Sequence, residues 1–140
     1  MPVSTRLLSA LRPLFEGDCD FIVAQGADGE LGVLPGHSPV LTWLKPGELM
    51  LRQGREETHY FLESGYLEVL PDRVLILAER GQAAGELDPA AAEEIRRESQ
   101  EALSRARASE PEAIAELERE LDVAERRLQA AERAQRRQRD

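Results

Sequence analysis

Apolar residues recur through positions 21–78 in short runs, each closed by a turn that carries glycine or proline. The runs at 21–24, 31–34, 40–44, 49–52, 58–62, 66–70 and 74–78 are rich in valine, leucine, isoleucine and aromatic side chains, and they read as β-strands. Between them stand Gly26-Ala27-Asp28-Gly29, Pro35-Gly36, Lys45-Pro46-Gly47, Gln53-Gly54, Ser64-Gly65 and Pro71-Asp72. Glycine gives such turns a positive φ and proline a fixed one. Strands this closely spaced leave no room for helices, so the pattern predicts an antiparallel β-sandwich or barrel. Some 85 residues are enough for a small core between two sheets.

The pattern changes near Gly85. After it there is no glycine and no aromatic residue, and proline stands only at 89 and 111. The segment 81–86 reads as the joint. Asp88 is a candidate N-cap with Pro89 at the first helical position. Ala92, Ile95, Ser99, Ala102, Leu103 and Ala106 then fall on one helix face. A break is predicted around Ala108, where Ser109-Glu110-Pro111-Glu112 fits a capping box. Beyond it Ile114, Leu117, Leu121, Ala124, Leu128 and Ala131 alternate spacings of three and four, a narrow coiled-coil stripe. The chain thus divides into a β-sandwich domain over 1–86 and an antiparallel two-helix hairpin over 87–140. A seam so rich in alanine implies modest packing energy, so the hairpin is expected to be able to leave one surface and dock on another.

Charge and composition narrow the function. A formal net charge of −9 disfavours nucleic acid as a partner, since neutralising phosphates takes a basic face. Within 126–140, however, six arginines face only Glu132 and Asp140, which suits a helix C-terminus and offers an electrostatic hook. The lone Cys19 excludes an intramolecular disulfide. No apolar run approaches the roughly 20 residues of a membrane span, and the first eight residues lack a signal-peptide pattern, so a cytoplasmic placement is expected. Cys19, His37 and His59 show no metal-site spacing. Ser38 beside His37 is held in a proline turn, a poor nucleophile–base arrangement. The glycine-rich 26–32 segment has no following Lys-Ser/Thr and opens no helix, so it is not a phosphate loop. Trp43 is assigned to the core. No catalytic, cofactor-binding or metal-ligating residue emerges.

Taken together, Gly26-Ala27-Asp28-Gly29-Glu30-Leu31-Gly32-Val33-Leu34-Pro35-Gly36-His37-Ser38-Pro39 resembles the signature segment of the epsilon subunit of bacterial F-type ATP synthases. The likeness continues through residues 40–47, 64–69 and 74–79, and the helical pair comes last, as in that family. It departs at Gln25, where many relatives carry proline, and at 3–14, where the first strand matches poorly. Leu87, Asp88 and Ala92 match a nucleotide motif of some relatives, but Ala91 stands where that motif has arginine, so Asp88 is at most a remnant of an ATP site. The resemblance implies a non-catalytic central-stalk subunit without cofactor, peripheral to the cytoplasmic face of the bacterial plasma membrane. Its sandwich would bind the gamma subunit and the polar loops of the c-ring, with Glu30 and His37 at matching positions. Its helices would restrain ATP hydrolysis by meeting the alpha and beta subunits, with Arg126, Arg127, Arg133, Arg136 and Arg137 as candidates by charge. Two other readings stay open from the residues: a β-domain with a self-associating coiled-coil tail, and a nucleotide-sensing module.

Overall fold

The computed structural model describes residues 1–140, which form two compact units, Met1–Ala84 and Gly85–Asp140. The first holds eight strands: β1 Val3–Ser9, β2 Pro13–Cys19, β3 Phe21–Gly26, β4 Gly29–Val33, β5 Val40–Leu44, β6 Gly47–Gln53, β7 Glu56–Val69 and β8 Arg73–Ala83. They join in the order β2-β1-β8-β7-β5-β3-β4, while β6 bridges β3 and β7 and so folds the sheet over into a sandwich. Every pairing is antiparallel except β1 beside β8, which is parallel. Alternation along the strands sends Val3, Leu7, Ile22, Leu49, Leu51, Leu67, Val69, Val74 and Ile76 into one core. Each such side chain contributes about 1.5–3 kcal/mol by leaving water. Thr5 is the one buried polar residue, and its hydroxyl donates to the Val3 carbonyl at 3.1 Å.

Two expectations are corrected in this unit. Residues 3–14 are not one strand but most of a hairpin, broken at Ala10-Leu11-Arg12, where the Ser9 amide donates to the Arg12 carbonyl at 2.9 Å. Ser64-Gly65 is not a turn. It is an irregularity inside the 14-residue β7, where the register to β8 shifts on either side of Ser64. Glycine is required there by crowding, because a Cβ on residue 65 would lie 1.9 Å from the Leu77 carbonyl oxygen. Up to Leu62 β7 pairs with β6, and from Gly65 onward it pairs with β5. The irregularity therefore lets one strand serve both layers.

The second unit opens with a 3₁₀ turn over Ala84–Glu86, itself begun at the end of the first, and contains α1 Pro89–Ser104 and α2 Pro111–Arg139. Asp88 caps α1, its Oδ1 accepting from the Ala90 amide at 3.0 Å. The helices pack antiparallel, with Glu125 among the carboxylates that act on Arg96 and Gly85 beside the amide of Gln138. On α2, Leu121, Ala124 and Ala131 of the predicted stripe are buried. On α1 the seam runs through Ala92, Arg96, Ser99 and Leu103, spaced four and three, so Ile95 falls off it and is exposed, contrary to expectation. Arg96 is half-buried and forks onto Glu93 at 2.8 and 3.0 Å. The capping box also fails: Pro111 occupies the first turn, which makes Glu110 the N-cap, and no side chain caps it.

Candidate partner-binding surfaces

Outward-facing positions of the sheet come into line once the register is known. Trp43 on β5 lies opposite Tyr66 on β7, Tyr66 opposite Leu77 on β8, and Leu77 opposite Leu8 on β1. The two aromatic rings touch, with centroids 3.8 Å apart and planes inclined at 33°. Trp43 is 60% exposed and Leu41, two residues before it on the same face, 70%. Trp43 is therefore not a core residue: Leu44 takes the inward position at this end of β5, and alternation turns Trp43 out. Single exposed apolar residues are ordinary, but a row exposed across three strands and continued by half-buried Leu8 on a fourth has the character of an interaction surface. Neighbouring outward positions, Glu68 and Arg6, give the row a polar margin.

Glu30 and His37 lie at opposite ends of β4. Glu30 is exposed beside the β3–β4 turn and accepts a hydrogen bond from Gln25 Nε2 at 3.2 Å. The same end carries the β5–β6 loop, since the Lys45 amide donates to the Gln25 carbonyl at 2.9 Å. His37 is half-buried after β4, with Nδ1 2.7 Å from the Ser38 carbonyl oxygen. Its loop is tied to the β7–β8 turn, where the Gly36 amide donates to Pro71 at 3.0 Å, and Gly36 takes a φ of 81° that glycine favours. The two sequence candidates thus sit on different ends of the sandwich.

Cys19, His37 and His59 are likewise kept apart: Cys19 is buried on β2, and His59 on β7 pairs with Glu48 on β6 at 3.4 Å. Burial pushes the Cys19 thiol up, against a lowering hydrogen bond with Thr5. Asp88, the candidate nucleotide residue, spends its carboxylate on the α1 cap.

On α2 the charges are segregated. From Glu112 to Glu125 there are six carboxylates and one arginine; from Arg126 to Arg139, six arginines and one carboxylate. This order matches the helix dipole at both ends. Arg126 is held by Asp122, its Nε 3.1 Å from each carboxylate oxygen. Arg127 is half-buried, whereas Arg133, Arg136 and Arg137 are exposed near the helix end. On α1, hydrogen bonds from Arg96 and Arg97 hold the Glu93 and Glu94 carboxyls below their ordinary range.

Sequence comparison matches residues 3–84 to the family described as ATP synthase, Delta/Epsilon chain, beta-sandwich domain. The chain is 47% identical over 97 residues to the ATP synthase epsilon chain of Hydrogenovibrio crunogenus, covering 69% of this chain and 67% of that one. It is 38% identical over 141 residues to ATP synthase epsilon chain 2 of Ralstonia nicotianae, covering 99% and 100%. Among solved structures, a chain of the Euglena gracilis mitochondrial ATP synthase superposes with a TM-score of 0.81 at 22% identity, over 93% of this chain and 81% of that chain. That last match speaks to the fold.

Proposed function

The chain belongs to the ATP synthase delta/epsilon family as an epsilon chain, a non-catalytic, membrane-associated part of that enzyme, and on that footing we propose that it is a rotor subunit that links the catalytic head to the proton-driven c-ring and restrains ATP hydrolysis. The observation that carries this reading is the exposed Leu41, Trp43, Tyr66 and Leu77 row, which suits a permanent apolar contact and which we assign to the gamma subunit. Glu30, exposed on β4 beside the β3–β4 turn at one end of the sandwich, meets the polar loops of the c-ring. His37, at the other end, belongs to the gamma contact. The site of action is the cytoplasmic face of the bacterial plasma membrane.

Restraint of hydrolysis falls to the hairpin over 87–140. Its seam is mostly alanine with few large side chains, so two docked states within a few kcal/mol of each other are accessible. Arg126, Arg127, Arg133, Arg136 and Arg137 supply the charge for an acidic surface of the alpha and beta subunits. The test is ATP hydrolysis by the catalytic head stripped of its own epsilon chain, with residues 1–140 or residues 1–86 added back. The shorter form keeps every buried residue of the sheet core. Suppression by the full chain alone supports the reading. Binding by both forms with suppression by neither refutes the regulatory half.

A further inference from the structure

Gln25 and Glu30 are direct partners across the β3–β4 hairpin, one position inside the Gly26–Gly29 pair that closes it. The Gln25 amide donates to the Glu30 carboxylate at 3.2 Å. Gln25 is itself confined. Its carbonyl accepts from the Lys45 amide at 2.9 Å, and its stem lies over Gly47, where an added Cβ would meet Gln25 Cγ at 2.8 Å and Cβ at 3.4 Å. Gly47 does not have a positive φ, so its backbone would accept any residue. What the missing side chain provides is the space that the glutamine stem fills.

We propose that Gln25, seated by Gly47, is a positioning residue that fixes the Glu30 carboxylate in the orientation in which it meets a hydrogen-bond donor on the c-ring. A free glutamate at an exposed strand end samples many rotamers, and ordering it on contact opposes binding. An amide donor opposite it, anchored at both backbone and stem, does that ordering beforehand. One oxygen of the carboxylate takes the Gln25 N–H, and the other is left for the partner. This inference rests on the c-ring contact of Glu30 proposed above.

The test is the affinity of the full-length chain for synthase depleted of it, with thermal melts confirming that each variant folds. Glu30→Ala is expected to weaken binding about five-fold, and Gln25→Ala and Gly47→Ala about three-fold each, as for an exposed hydrogen bond to a charge. The decisive results are the double variants. Gln25→Ala in the Glu30→Ala background should add nothing, because no carboxylate remains to orient. Gly47→Ala in the Gln25→Ala background should add nothing, because no stem remains to displace. Gln25→Glu, which keeps the stem and replaces the donor by a repelling charge, should weaken binding more than Gln25→Ala, and it decides the matter alone if Gly47→Ala fails to fold. Multiplying effects in either double variant overturn the positioning role while leaving the Glu30 contact intact. An unchanged affinity for Glu30→Ala overturns the contact itself, and the inference with it.

Discussion

Replacing Trp43 by alanine separates the outward row from the fold that carries it. Trp43 is 60% exposed in the free chain, and the proposed docking on gamma would remove that remainder from water. A tryptophan presents on the order of 250 Å², so about 150 Å² is at stake. At about 25 cal/mol per Å² this is roughly 3.5–4 kcal/mol. Alanine would recover about a quarter of it, leaving a loss of about 2.5–3 kcal/mol, or about a hundredfold in Kd for the gamma subunit. The free chain loses chiefly the Tyr66 ring contact, about 0.5–1.5 kcal/mol, so its Tm should fall by no more than about 10 °C. The chain has a single tryptophan, which makes the wild type its own reporter. Its emission should shift to shorter wavelength as gamma is added, and calorimetry should give the affinity of the variant. Binding of Trp43→Ala within threefold of wild type, or emission that ignores gamma, refutes the assignment of this face.

Four other outcomes follow from particular contacts. Reversing the helix end with Arg136→Glu and Arg137→Glu should abolish suppression of hydrolysis without weakening gamma binding, as read by ATPase rate and calorimetry on the same preparation. Gly65→Ala puts a methyl 1.9 Å from the Leu77 carbonyl oxygen and should cost about 3 kcal/mol in urea unfolding. Cys19, buried and with its thiol pushed up by that burial, should resist alkylation at pH 8 in the native chain and react only as urea unfolds it. Hydrogen bonds from Arg96 and Arg97 lower the pKa of the Glu93 and Glu94 carboxyls in the folded hairpin, so these pairs stabilise it at and above the ordinary glutamate range. Helicity followed by circular dichroism should fall, by a small amount for groups this exposed, as pH drops through and below that range.

The sandwich and the helical pair were legible because alternation, turn glycines and the three-four spacing are local signals. What escaped was set by pairing at a distance. The hairpin of β1 and β2 lacks a glycine turn, so residues 3–14 read as one strand. Ser64-Gly65 has the chemistry of a turn, but the crowding that demands glycine comes from Leu77, twelve residues on. Trp43 carries the hydrophobicity of a core residue, and only the register with Tyr66 and Leu77 shows it on the outer face. Ile95 is more apolar than Arg96, yet heptad geometry gives the seam to the arginine. The separation of Glu30 from His37 by the length of β4 likewise needs the sheet, since both lie in one continuous segment of sequence.

The course of β7 has a mechanical meaning. Fourteen residues in extended form measure about 46 Å, and the strand passes without interruption from the layer with β6 to the layer with β5. If the proposed gamma contact is made at Tyr66 and Trp43, a torque entering there would be carried along covalent bonds into the β6 layer, and the two layers would not need to slide against each other to share it. The weak point under shear is then the register slip at Ser64, where the hydrogen bonds to β8 are irregular. Pulled from the Tyr66 face, the molecule should yield there first and keep the β1–β2–β8 ladder until last.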